Sequence, residues 1–204
     1  MQNVTERTSN PFDMDPPCED AVFGFGDPNA HIHVVGDHPG IHGGTETGIP
    51  FTGDAAGRRL QRILGDLGFS ASPPDAARPD LEGAYLTYAT RCRHPERGPT
   101  DREVGNCDPF LTADLRMINP EIIVPVGDLA LRSVAAEHTT RDAESLDAAE
   151  RHATTIRGRG FELVPMRGLD DQTDAETAAF VDHVRDSVLD RDYRQTKGRS
   201  GARD

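Results

Sequence analysis

A chain of 204 residues with 35% hydrophobic content can bury one sizeable core but not two comfortable ones. No stretch approaches the ~18 consecutive apolar residues of a membrane span, and Met1 to Asn10 lack the apolar segment of a secretory signal. The expectation is a soluble, cytoplasmic protein, a monomer by default. Acids outnumber bases 35 to 22, Lys197 is the one lysine, and the net charge is −13, a balance that fits the acidic, halophile-like proteins of a salty cytoplasm. This charge opposes phosphate attraction at low salt; at high salt that attraction shrinks, and local arginines, stacking and a shaped pocket must replace it.

Residues 1–20, with Asn10-Pro11 and Pro16-Pro17, read as an extended arm, residues 21–190 as the domain, and 191–204 as a disordered tail. His31 to Val35 is the first strand and enters the turn Gly36-Asp37-His38-Pro39-Gly40; a glycine-bearing loop continues to Gly53. From Asp54 the apolar Leu60, Ile63, Leu64 and Leu67 recur at helical spacing, with Gly68 as C-cap. Ala84 to Ala89 is the second strand. Thr100 and Glu103 have capping-box spacing and start a helix that runs to Met117. Glu121 to Gly127 is a buried strand by its branched residues, followed by a helix from Asp128 to about Ala136. Glu137 to His152 is a surface loop or a solvated helix. Phe161 to Met166 is the fourth strand, and Thr173 with Glu176 opens a last helix bearing Phe180, Val181, Val184 and Val188.

Strands alternating with helices imply an α/β fold whose parallel sheet is covered on both faces, with ligands at the carboxyl ends of the strands. The loops after Val35, Ala89, Val126 and Met166 should therefore converge on one site. The sequence contains no internal repeat, P-loop or GxGxxG fingerprint.

Val34 to Gly40, followed by Thr47 to Gly57, contains a G-x-x-P-G loop and then G-x-P-F-x-G before a helix. Tyr85 to Cys92 ends a strand in a cysteine-bearing loop, Cys107 follows fifteen residues later, and Met117 to Gly127 places a strand after an Asn-Pro turn. Together these blocks, over roughly residues 22–165, resemble the uracil-DNA glycosylase superfamily. They are most similar to its iron-sulfur-bearing family-four and family-five branches, and Phe51-Thr52-Gly53-Asp54 is most like family five. The resemblance implies a three-layer α/β/α sandwich with a central four-stranded parallel sheet. It also implies a DNA repair glycosylase that hydrolyses the N-glycosidic bond of uracil or another deaminated base in DNA.

Breaking that bond puts positive charge on the sugar and negative charge on the departing base, and the base must leave the stack to be read in a slot. By the resemblance, Phe51 is the stacking wall and Gly36 and Gly40 shape the loop around the base. A neutral His38 beside Asp37 is placed to accept a proton from water or to hydrogen-bond the base; the alternative is a solvent-facing loop histidine. Asp54 would stabilise the sugar cation or orient water, or serve only as a helix N-cap. Two departures stand out. Tyr88 replaces the asparagine that reads the uracil edge in many relatives, and either fills the pocket or changes its specificity. Val164-Pro165-Met166-Arg167 replaces the His-Pro motif, leaving Arg167 to meet an anion, whether base or phosphate.

Three widely spaced cysteines argue against a disulfide framework. The resemblance assigns Cys18, Cys92 and Cys107 to a 4Fe-4S cluster with an incomplete cysteine set, Asp15 or His94 being the candidate fourth ligand; the alternative is a lost cluster and three packing thiols. Two rival functions remain open. His31, His33, Asp37, His38 and His42 raise a metal hydrolase, although partner ligands from other strands are not evident. A catalytically impaired member that grips DNA or a damaged base without excision is the stronger rival, with Arg91, Arg93, Arg97 and Arg167 as phosphate contacts.

Overall fold

The computed structural model describes Met14, residues 17–93 and residues 97–189. Most of the N-terminal arm, Asp15, His94 and the 191–204 tail lie outside the described residues.

Strands β2 (Ile32–Gly36), β3 (Ala84–Tyr88) and β4 (Ile122–Val126) are buried at every position, as expected of a sheet covered on both sides. With β6 (Glu162–Leu163) they form a parallel centre in the order β3-β2-β4-β6. Two short antiparallel strands were not foreseen: β1 (Phe25–Gly26) pairs with β3, and β5 (Ile156–Arg157) pairs with β6. The sheet thus has six strands, ordered β1-β3-β2-β4-β6-β5, with the expected parallel core inside. Strands of two residues are too short to show a period of two.

Alternation along the strands assigns the helices to two layers. Ile32, Val34, Ile122 and Val124 face α2 (Ala55–Asp66) and α5 (Asp174–His183). Val35 and Ile123 face α3 (Asp101–Ile118) and α4 (Asp128–His138). Both predicted capping boxes form, Thr100 with Glu103 and Thr173 with Glu176. The expected turn after β2 tightens into a one-turn helix, α1 (Pro39–His42), with proline at its first position. Glu137 and His138 complete α4, and residues 139–152 form a loop that carries one short 3₁₀ turn, Ala143–Ser145, and buries Leu146 and Ala148. The fourth strand is shorter than expected: after Leu163, pairing resumes only at a Val126–Met166 bridge, and the intervening Pro165 has no N–H to donate.

The face toward α3 holds a buried charge pair. Arg91 and Asp114 are both fully buried and bonded to each other, and Thr87 Oγ1 donates to Asp114 Oδ2 at 3.0 Å. The Arg91 guanidinium also lies 5.7 Å from the Phe23 ring centroid and 5.4 Å from that of Phe110, within cation–π range. Its carbonyl accepts from Val22 N at 2.8 Å, tying the N-terminal segment to the loop after β3. Arg91 is therefore an interior anchor and not a phosphate contact. Losing one partner of such a pair strands a buried charge. Asp114→Asn or Arg91→Met is expected to lower the unfolding free energy by about 3–5 kcal/mol in urea titrations, and Arg91→Met with Asp114→Leu to recover most of the loss.

Candidate active site

The parallel register brings the strand ends together. Gly36 lies opposite both Tyr88 and Val126, and Val126 opposite Met166, so the four loops expected to converge leave the sheet side by side.

Gly36 is hemmed in by rings. A Cβ there would come within 2.5 Å of Phe51 Cζ and 2.9 Å of both His42 Cδ2 and Tyr88 Cδ1. The three rings form a triangle, with centroid separations of 5.0 Å for Phe51–Tyr88, 5.4 Å for His42–Phe51 and 6.3 Å for His42–Tyr88. Phe51 has φ of 58°, a left-handed conformation that a bulky side chain rarely adopts. Its two backbone polar groups are pinned by buried side chains: its N–H donates to Tyr88 Oη at 2.7 Å, and its carbonyl accepts from Gln61 Nε2 at 3.3 Å. Gly57 permits the approach of α2, since a Cβ there would meet Phe51 C and O at 2.6 Å. Strain held on both sides is characteristic of functional positions.

Both Phe51 and Tyr88 have 0% exposure. The Tyr88 hydroxyl accepts from Phe51 N and sits 2.8 Å from the Gly43 carbonyl and 3.1 Å from that of His42. His42, 2% exposed, makes no well-formed side-chain hydrogen bond among the described residues. Burial pushes its imidazole down to about 3, aided by His38 and only partly offset by the Val126 backbone, so the ring is neutral at physiological pH.

Beside the triangle lies a cavity of about 170 Å³ whose lining includes Gly40, Gly43, Glu46, Thr52, Asp54 and Arg93. Asp54 is the N-cap of α2, its Oδ1 accepting from Gly57 N at 2.6 Å, and it also lines the cavity. Burial raises its carboxyl pKa, and nearby Asp170 adds to the effect. His38 is buried and caps α1, its Nδ1 accepting from Gly40 N at 3.1 Å, which leaves the proton on Nε2.

Other predicted site residues stand apart from the cavity. Asp37 turns to α4, accepting from Ala130 N at 2.7 Å, and Gly127 has no side chain where a Cβ would come within 2.4 Å of that carboxylate. Arg167 pairs with Glu176 at 2.9 Å, and its amide donates to His152 Nδ1 at 3.1 Å. Arg97 is held by Glu103 at 2.8 Å. Of the four proposed phosphate contacts, only the exposed Arg93 lines the cavity. Sequence reasoning missed Gln61, Gly57 and the packing role of His42; a glutamine between Leu60 and Ile63 on the apolar face of α2 was the available signal.

The cysteines correct an expectation. Cys18 and Cys92 form a disulfide, while Cys107 is a buried free thiol whose pKa burial raises. All three line one pocket of about 180 Å³. Two of them are bonded to each other, however, and no metal-holding group of three or more His, Cys, Asp or Glu residues occurs among the described residues. In this form the set does not fit a 4Fe-4S cluster, which needs free thiolates. The histidines considered for a metal hydrolase form no such group either.

The family model described as the uracil DNA glycosylase superfamily matches residues 23–181, and the chain belongs to that superfamily. The type-5 uracil-DNA glycosylase of Pyrobaculum aerophilum is 41% identical over 142 residues, covering 68% of this chain and 61% of the relative. That of Thermus thermophilus is 40% identical over 124 residues, covering 59% and 56%. The type-4 enzyme of Saccharolobus solfataricus is 34% identical over 181 residues, covering 88% and 76%. The chain thus spans about three fifths of the two type-5 relatives.

Burial pushes the Asp37 carboxyl from 3.8 up to about 7. A raised carboxyl favours the protonated folded state, so its contribution to stability is complete below pH 3.8 and is lost as pH climbs to about 7. Relative to Asp37→Asn, the wild type is expected to lose stability across that window and to run parallel to it above, as thermal unfolding at stepped pH would record.

Proposed function

We propose that this chain is a DNA repair glycosylase that hydrolyses the N-glycosidic bond of uracil or another deaminated base in DNA. The observation that carries the reading is Asp54, a half-buried carboxylate in a cavity beside the strained Phe51, at the carboxyl edge of the parallel strands. Ionised, Asp54 opposes the positive charge that develops on the sugar. His38, next to the cavity-lining Pro39 and Gly40, belongs to the loop that would meet the departing base. Arg93 at the cavity supplies a phosphate contact.

A second reading, recognition of DNA without excision, is favoured by one observation: Tyr88 is buried against Phe51 and takes its N–H. In either case the partner is DNA carrying an altered base, bound by a monomer. A cytoplasmic site of action goes with that role, and no helix among the described residues is long and apolar enough to cross a membrane. A 4Fe-4S cluster would require the reduced chain, in which Cys18, Cys92 and Cys107 offer three thiolates and Asp15 or His94 the fourth ligand. Cluster and disulfide exclude one another, and no catalytic step is assigned to the cluster.

The test is alkaline cleavage of labelled oligonucleotides containing uracil, hypoxanthine or xanthine, at high and low potassium chloride. Strand breaks that fall by about 10²-fold or more in Asp54→Asn are expected. Folded protein that cuts none of them while retaining affinity for damaged DNA would establish the second reading instead.

A further inference from the structure

We propose that Tyr88 is a resident occupant of the base slot, its phenol standing where a flipped six-membered base would lie and competing with it. The proposal rests on reading Phe51 as the stacking wall of that slot. The phenol is a planar six-membered ring with one exocyclic oxygen, and a pyrimidine-2,4-dione is a planar six-membered ring with two. Its ring centroid lies 5.0 Å from that of Phe51 at an interplanar angle of 43°, and its oxygen accepts the Phe51 N–H at 2.7 Å, a donor that a carbonyl oxygen in the same place could take instead. No side chain from Gly36 intrudes, and Phe51 is left fully buried.

One buried polar group beside this occupant makes no bond to it. His42 borders the same space, 6.3 Å from the Tyr88 ring, and neither of its ring nitrogens makes a well-formed hydrogen bond among the described residues. Buried polar atoms without partners are rare and call for an explanation. A lactam ring offers both a donor and an acceptor along its edge, and a phenol offers only its hydroxyl, already engaged with Phe51 and the Gly43 carbonyl. A ring with both a donor and an acceptor on its edge could bond His42 as well, which the phenol does not. Removing the phenol would leave space of the order of the ~150 Å³ engineered cavity that takes up benzene.

An occupied slot weakens an external ligand by the fraction of time it stands open, so a slot open about one tenth of the time or less costs about tenfold in affinity. The full-length wild type, Tyr88→Ala and Tyr88→Phe would be titrated with free uracil by calorimetry. Tyr88→Ala is expected to bind about tenfold or more tighter than wild type, with Tyr88→Phe, which keeps the ring, as weak as wild type. Equal affinity for wild type and Tyr88→Ala would overturn the proposal. Should Tyr88→Ala not fold, 3-fluorotyrosine in the wild type reports directly, with the Tyr88 signal assigned by its absence in Tyr88→Phe. Binding that moves this signal to that of an exposed tyrosine supports the occupant; uracil bound with the signal unmoved overturns it. Excision is a separate readout. Tighter binding by Tyr88→Ala without strand cleavage by either protein keeps the occupant and removes the glycosylase reading, and cleavage with equal affinities does the reverse.

Discussion

The site depends on the absence of a side chain at Gly36. Three rings converge on the place where its Cβ would be, and this close approach lets the left-handed Phe51 be held between Tyr88 and Gln61. The parallel register that sets Gly36 between Tyr88 and Val126 is thus a constraint on chemistry as well as on folding. Any residue larger than glycine would require these rings to move, the tip of the Phe51 ring first.

The two faces of the sheet divide the work. Toward α2 and α5 lie the rings, the cavity and Asp54; toward α3 the Arg91–Asp114 pair, Thr87 and two phenylalanines form a polar knot buried in apolar surroundings. That knot sits immediately before Cys92, and the disulfide to Cys18 fastens the incoming N-terminal segment to the same loop. A loop anchored at both points can present the adjacent Arg93 to the cavity without moving. Stability in this chain is therefore built next to the site but on the opposite side of the strands.

Much of this was legible in the sequence. Branched, fully buried strands, capping boxes and glycine-rich turns located the parallel core, both layers of helices and the convergent loops, because each is encoded within a few consecutive residues. Gly40 and Asp54, both expected at the site, line the same cavity, and the motif around Phe51 carried the family. What was not legible involves long-range partners. The strained φ of Phe51 is fixed by Tyr88, 37 residues away in sequence; Asp37 reaches across 93 residues to α4; and Arg167, read as an anion contact, finds Glu176 in the capping box of α5. The disulfide was missed because an odd cysteine count is uninformative about which two thiols meet.

The central claim is that the carboxyl edge of the sheet around Phe51 is where a base from DNA is received. Photo-crosslinking with an oligonucleotide carrying 5-iodouracil, followed by peptide mapping, tests it most directly, because the reactive atom is on the base itself. The account predicts attachment within Gly40 to Asp54 or at Tyr88 to Arg93. Attachment confined to the opposite end of the strands, near Ile32, Ala84 and Ile122, would contradict it.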